Sequence, residues 1–99
     1  MNFEHDTPLQ ESFPRISEGM VANMAQLRLM PLGYQLDKGV LADMHDKETR
    51  NEVAMWWTST YAQAFREYIE DNPREMIDLG SEEALIEFFM KLKEYATVH

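Results

Sequence analysis

The sequence predicts an all-α fold, a small bundle of three main helices plus one short helix, with a mobile N-terminal arm. Three observations predict this class. Apolar residues recur at intervals of three and four along most of the chain, as on one face of a helix. Residues 40–71 contain neither glycine nor proline, so nothing in that stretch forces the backbone out of a helix. Alternation typical of a strand is confined to residues 32–36, which leaves a strand with no partner.

The domain organisation predicted from the sequence is simple. Residues 1–11 are expected to form the flexible N-terminal arm, because they are polar and contain Pro8. Residues 12–99 are expected to form a single helical domain, since a chain of this size buries roughly 60–65% of its unfolded surface and can build one core.

The first helix is expected to begin after Ser12, a good N-cap residue, with Pro14 in its first turn, where a missing N–H costs nothing. Pro31 disfavours helical geometry at the residue before it, so the helix is predicted to end near Leu29. Its expected core stripe is Phe13, Ile16, Met20, Met24 and Leu27. Residues 31–39 carry turn chemistry at both ends and are predicted to form a packed loop.

Two helices are predicted between residues 40 and 71, because the apolar stripe changes direction along this stretch. A short helix near 40–45 is followed by a long helix near 47–71, with Asp46 as its N-cap. The core stripe of the long helix is Val53, Trp57, Tyr61, Ala64 and Tyr68. Asn72 and Pro73 then end the long helix.

The last part of the chain is predicted to hold one isolated turn and one further helix. Residues 74–79 are expected to form a single helical turn, which Gly80 closes at a C′ position. Ser81 caps the final helix, whose core stripe is Leu85, Phe88, Phe89, Leu92 and Ala96. We expect this helix and the long helix to form the centre of the core, with Trp57 and Phe88 inside it.

The charge pattern is the feature that says most about partners. Eight of the eighteen acidic residues fall between Glu67 and Glu87, where Arg74 is the one basic residue, so this stretch carries seven of the nine net negative charges. A surface of this sign repels nucleic-acid phosphates and anionic membranes. The charge pattern therefore predicts no direct binding of nucleic acid or membranes, and it favours a protein partner with a basic surface.

Several chemistries are excluded or weakly supported by the sequence. Cysteine is absent, which excludes disulfides, thiolate metal sites and cysteine nucleophiles. The four glycines are scattered, so no phosphate-binding loop is present, and no zinc or di-iron spacing occurs. The densest polar group is Asp43, His45, Asp46 and Glu48, which we interpret as a solvated helix junction with a cap. We therefore predict no catalytic residue, no cofactor and no metal.

The residues predicted to bind a partner are of two kinds. The acidic ones are Glu67, Glu70, Asp71, Glu75, Asp78, Glu82 and Glu83, and the apolar ones, which lie off the core stripes, are Met55, Trp56, Ile86 and Met90. The first three carboxylates lie at the negative end of the predicted long helix, an unfavourable place for them within the fold. The four apolar residues fit either an interface, where Trp and Met are enriched, or a helix sandwiched within the core.

The leading hypothesis is a small acidic, non-catalytic protein-binding module that regulates, adapts or inhibits another protein. One alternative is a mimic of nucleic acid that occupies the basic groove of a DNA- or RNA-binding protein. A second is a small enzyme or metal-binding protein, with a pocket drawn from Tyr34, His45, Glu48, Tyr61 and Tyr68. A homodimer also stays open. The expected compartment is the cytoplasm, of a cell or of a phage-infected cell.

Overall fold

A computed structural model describes residues 13–98, so the arm predicted over residues 1–11 and the cap predicted at Ser12 lie outside the described residues. Within residues 13–98 the chain forms helices α1 (Gly19–Lys38), α2 (Lys47–Thr60), α3 (Ala62–Asp71) and α4 (Glu82–Val98), and no strand. The prediction of an all-α bundle with three main helices and one short helix is confirmed, although the short helix is α3 and not the one predicted near residues 40–45. In this part of the chain, none of the helices combines the length and the apolar character needed to cross a bilayer.

The core is a continuous set of aromatic contacts that joins all four helices. Its rings belong to Tyr34, Trp56, Trp57, Tyr61, Phe65, Tyr68, Phe88, Phe89 and Tyr95. Trp57 and Phe88 are both buried, as predicted. The indole N–H of Trp57 donates to Gln26 Oε1 at 2.9 Å, which satisfies the polar atom that burial would otherwise leave unpaired.

Helix α1 differs from its prediction at both ends. It begins at Gly19 and continues through Pro31 to Lys38, so the predicted end near Leu29 and the predicted loop over residues 31–39 are wrong. Proline inside a helix removes one backbone hydrogen bond and costs about 3 kcal/mol. The second half of α1 is nevertheless held by packing and polar contacts with the other helices. Its true end is Gly39, whose φ of 73° suits a residue without a Cβ.

The face that α1 buries is opposite to the predicted one. Its buried residues are Ala22, Ala25, Leu29 and Gly33. Met20, Met24 and Leu27 of the predicted stripe are exposed, Phe13 is also exposed, and Ile16 is buried from a position before the helix. The prediction followed the most numerous large apolar side chains, whereas α1 packs through Leu29 and three small residues that allow a close helix approach.

Helices α1 and α4 lie side by side and run in the same direction. Arg28 Nη1 donates to the carbonyl of Leu79 just before α4, and Lys93 Nζ is 2.9 Å from Asp37 Oδ1 near the other end. Between these points the ring of Phe89 lies on Gly33. The chain can place two parallel helices together because α2 and α3 lie between them in the sequence.

The segment between α1 and α2 contains no helix, so the short helix predicted near 40–45 is wrong. The backbone there is held by side chains instead: Ala42 N–H donates to Gln35 Oε1 at 3.0 Å. The N-cap predicted at Asp46 is confirmed, because its carboxylate accepts from both the backbone N–H and the hydroxyl of Thr49.

The long helix predicted over residues 47–71 is present as α2 and α3, with an interruption at Tyr61. At Tyr61 φ is −123°, yet the N–H of Tyr61 still bonds to Trp57 and its carbonyl still accepts from Phe65. This local departure lets α2 pack on α1 while α3 packs on α4. The predicted end at Asn72 is confirmed.

The connection from α3 to α4 is extended, so the helical turn predicted over residues 74–79 is wrong. Its backbone pairs with residues 14–16: Ile16 N–H donates to Glu75 O at 2.9 Å, and Ile77 N–H donates to Pro14 O at 3.0 Å. This pairing explains why residues 13–18 do not extend α1. Gly80 was predicted to be a left-handed C′ residue, and this prediction is wrong because its φ is not positive. The predicted cap at Ser81 is confirmed, because Ser81 Oγ accepts a hydrogen bond from Ala84 N–H.

Candidate protein-binding surface

Two bridges of the same composition fasten the helices together. In the first, Tyr61 donates its hydroxyl to Asp37 Oδ2 at 2.9 Å, while Lys93 Nζ contacts the other carboxylate oxygen. In the second, Tyr68 donates to Glu75 Oε1 at 2.5 Å, and Lys91 Nζ lies 3.4 Å from Glu75 Oε2. Each carboxylate is thereby shared between a phenol and an ammonium group.

The two bridging tyrosines are held in their neutral form. Burial, and then the neighbouring carboxylate, raise the pKa of both the Tyr61 and the Tyr68 hydroxyl well above the usual value. Glu75, predicted to bind a partner, is therefore already engaged within the fold. Its role in the described structure is to tie the extended connection to α3 and α4.

A compact acidic group lies where α3 ends, beside Tyr95 of α4. Tyr95 donates its hydroxyl to Asp71 Oδ2 at 2.6 Å. This hydrogen bond raises the pKa of Tyr95 to about 12, and the charges of Glu67 and Glu70 act in the same direction. The three carboxylates thus lie close to one phenol, and we name Glu67, Glu70 and Asp71 the α3 acidic cluster.

The α3 acidic cluster is not neutralised by cations of the described chain. The ion pairs found between residues 13 and 98 use Asp37 and Glu75 instead. Arg66 donates to the side chain of Gln63, whose amide in turn donates to Glu67 Oε2 at 2.9 Å. The last carbonyls of α3, at the negative end of its dipole, add negative potential near these carboxylates.

The remaining acidic residues predicted to bind a partner lie at the other end of α4. Asp78 accepts from the N–H of Gly80 at 3.0 Å, and Glu82 and Glu83 are exposed in the first helical turn. With a rise of 1.5 Å per residue, Glu82 and Tyr95 are separated by about 20 Å along the helix axis. The structure therefore divides the predicted acidic surface into two separate groups.

The four off-stripe apolar residues also separate. Trp56 is half-buried and its ring contacts four others, so it lies within the core rather than on an interface. Met55 is 71% exposed on α2, and Met90 is 52% exposed on α4. Ile86 is half-buried and lines a shallow, open surface of α4 together with Met90.

An exposed apolar surface lies on α1, and it includes Met20, Met24 and Leu27, which were predicted to lie in the core. Met20 is 76% exposed and Leu27 is 69% exposed, with Met24 between them and Pro31 one turn beyond. We name Met20, Met24, Leu27 and Pro31 the outer face of α1. The signal that could have identified it is the row of small residues, Ala22, Ala25 and Gly33, on the opposite side of the helix.

The residues considered for catalysis or metal binding are not brought together. Tyr61 and Tyr68 are buried in the core with their hydroxyls engaged, whereas His45 and Glu48 are exposed where α2 begins. Asp43 accepts from the backbone N–H of His45. Among the residues that the structure describes, no group of three or more His, Cys, Asp or Glu side chains is placed to hold a metal ion.

Comparison with known proteins yields no relative: no protein-family model, no curated protein and no solved structure matches this chain. Function is therefore inferred from the surface chemistry of residues 13–98.

Proposed function

We propose that this chain is a small non-catalytic protein-binding module, a regulator, adaptor or inhibitor, that binds a basic surface of another protein through the α3 acidic cluster. The observation that carries the proposal is the position of Glu67, Glu70 and Asp71. They gather at the negative end of a helix, with no Lys or Arg of the described chain paired to them. Its proposed compartment is the cytoplasm, which suits a chain without cysteine.

The placement of these carboxylates opposes folding and favours the binding of a cationic ligand. A carboxylate at a helix C-terminus is unfavourable by roughly 0.3–1 kcal/mol when exposed. An arginine or lysine of a partner would meet both the carboxylates and the last carbonyls of α3. Part of the cost is thus recovered on binding, which is the behaviour expected of a surface kept for a partner rather than for stability.

The fixed position of Asp71 also supports the α3 acidic cluster as the binding surface. Tyr95 fixes Asp71 at 2.6 Å and is itself packed edge-on against Tyr68 in the core. A carboxylate already held in place loses less freedom when it binds. Val98, which is 75% exposed, lines a shallow surface with Tyr95 and offers apolar contact beside the charges.

The other acidic residues receive different assignments. Glu82 and Glu83 lie in the first turn of α4, where negative charge stabilises the helix, so the fold itself accounts for them. Glu75 is occupied by Tyr68 and Lys91. The proposal therefore narrows the predicted acidic surface to the α3 acidic cluster.

Mimicry of nucleic acid has less support from the geometry. A mimic needs carboxylates at close, regular steps along a rigid element, since DNA carries one charge per about 1.7 Å of axis. On α4, Glu83, Glu87 and Glu94 are about 6 and about 10 Å apart along the axis. Lys91 and Lys93 interrupt that series. A protein partner with a limited basic patch fits this spacing better.

The experiment that tests the proposal is affinity capture from the native cell at low and high salt, with mass spectrometry. The test variant is Glu67→Lys/Glu70→Lys. The matched control is Glu48→Lys/Glu52→Lys, which reverses two exposed carboxylates one turn apart on α2. We expect a protein with a basic surface to be captured by the wild type and the control, and to be lost with the test variant and at high salt.

The proposal fails if the captured proteins are the same for the test variant and the control. Added DNA distinguishes the mimic from the module that we propose. A captured protein that releases this chain when DNA is added uses its nucleic-acid groove, which supports mimicry. A captured protein that binds this chain and DNA at the same time supports a separate protein-binding surface.

A further inference from the structure

We propose that the outer face of α1 is a homodimer interface, on which α1 of a second copy of this chain packs. The face is apolar along its length and, in the part of the chain that the structure describes, Met20, Met24 and Leu27 are exposed on it while Pro31 is half-buried. Leu27 in the middle of α1 is 69% exposed and Met20 in its first turn is 76% exposed, which is unusually open for large apolar side chains. Helices that are apolar on two sides are typically buried on both.

The spacing of the face is that of a helix-pairing seam. Met20, Met24, Leu27 and Pro31 follow one another at steps of four, three and four residues. These are the a and d positions of two heptads, the pattern by which one helix packs on another. The seam extends over about 16 Å of helix axis. Methionine is also enriched at the centre of protein interfaces.

The lack of acidic residues along most of α1 favours a second copy of this acidic chain as the occupant of this face. The chain carries a formal net charge of −9, so two copies repel each other wherever their carboxylates approach. From Gly19 to Leu36 α1 contains no Asp or Glu, and its one carboxylate, Asp37, is bound by Tyr61 and Lys93. The outer face of α1 is therefore a surface on which two identical acidic chains can meet without opposing negative charges.

The size of the face sets the expected strength. Stable complexes bury about 800 Å² per partner, contributed by some 20–30 residues on each side. Four apolar side chains and their neighbours fall short of that area. We therefore expect a weak dimer that dissociates on dilution, with a dissociation constant in the micromolar range or above.

Sedimentation equilibrium of the full chain tests the proposal, from about 1 µM to about 1 mM. The test variant is Leu27→Glu and the control is Leu41→Glu, because Leu41 is 80% exposed and lies outside α1. We expect the wild type and the control to approach the dimer mass at the upper concentrations. Leu27→Glu is expected to remain monomeric with an unchanged far-ultraviolet circular dichroism spectrum.

A wild type that stays monomeric throughout this range overturns the proposal, and so does a Leu27→Glu variant that dimerises as the wild type does. The first result, combined with loss of a captured protein by Leu27→Glu, would assign the face to a different partner. If the wild type is monomeric and a chain without residues 1–12 dimerises, the face would instead be assigned to those residues.

Salt separates this proposal from the acidic interaction proposed above. Screening weakens repulsion between like charges, so the dimer should strengthen as salt rises, whereas binding to a basic partner should weaken. A dimer that weakens with salt would contradict the uncharged interface. Each proposal can therefore fail without the other.

Oxidative cross-linking gives a second readout, because the natural chain has no cysteine. Met24 lies near the middle of the seam, so its copies approach each other whether the two helices pair parallel or antiparallel. We expect Met24→Cys to form a disulfide-linked dimer faster than Leu41→Cys, whose position is exposed and lies outside α1. Equal rates for the two variants would contradict the assignment.

Discussion

The ring of Phe89 lies directly on the backbone of Gly33, so that a Cβ at position 33 would come within 2.5 Å of Phe89 Cε1. The ring of Phe89 cannot shift away from such a Cβ, because it is fully buried and also contacts Trp56 and Tyr61. This contact sets how closely α1 and α4 approach. It also explains why α1 turns its small residues inward and leaves Met20 and Met24 outward.

Replacing Gly33 by alanine is expected to destabilise the fold. The added methyl group overpacks the core by about 1–3 kcal/mol, which exceeds the gain of about 1 kcal/mol in helix propensity. The measurement is the free energy of unfolding in urea. Gly19→Ala is the control, since nothing lies within 4 Å of a Cβ at that position of the same helix. Equal stability changes for the two variants would show that the close approach is not present in solution.

Replacing Pro31 by alanine is expected to raise stability. Alanine restores the backbone N–H that Pro31 lacks and suits a helix interior, so an increase of about 1–3 kcal/mol in the free energy of unfolding is expected. Thermal unfolding at low protein concentration, where a dimer has dissociated, measures this directly. A loss of stability would indicate that Pro31 fits a bend that α1 needs.

Stability is expected to fall at alkaline pH because of the buried tyrosines. The pKa values of Tyr61 and Tyr68 are raised in the folded state, so the stabilisation is fully present below the unfolded value of about 10 and is lost as pH rises above it. Urea unfolding at neutral pH and near pH 11 should show the loss, and Tyr68→Phe should reduce its size. A loss of stability near pH 11 that is equally large in the Tyr68→Phe variant would contradict this account.

Replacing Glu70 by lysine is expected to stabilise the fold while weakening binding to the proposed basic partner. The change places a cation at the negative end of α3 and should add about 0.3–1 kcal/mol to the free energy of unfolding. Glu48→Lys, near the positive end of α2, is the opposite control and should be destabilising. A Glu70→Lys variant that is less stable than the wild type would mean that the cluster is neutralised within the fold.

The sequence predicted the fold class and the second half of the core well. Trp57 and Phe88 were placed correctly because α2, α3 and α4 bury large side chains with an unambiguous period. The errors in α1 have one physical cause, which is tertiary contact overriding local preference. Pro31 usually ends a helix, but contacts at Gly33 and Asp37 hold the turns beyond it. Residues 74–79 were misassigned because backbone pairing with residues 14–16 is not visible in local sequence.

The candidate site was predicted in part. Glu67, Glu70 and Asp71 are neighbours in sequence and on one short helix, so their proximity followed from spacing alone. Glu82 and Glu83 were predicted to share a surface with them because they are close in sequence, yet α4 places Glu82 about 20 Å from Tyr95 along its axis. The role of Tyr95 depends on a contact across 24 residues, which no local pattern signals.

The most direct test of the central proposal is a nuclear magnetic resonance titration of the full chain with a short arginine-rich peptide. Backbone amide shifts are expected to concentrate at residues 67–71 and 95–98, and Glu67→Lys/Glu70→Lys should abolish them. Shifts centred on Glu82 and Glu83, or spread evenly over all exposed carboxylates, would contradict the α3 acidic cluster as the binding surface.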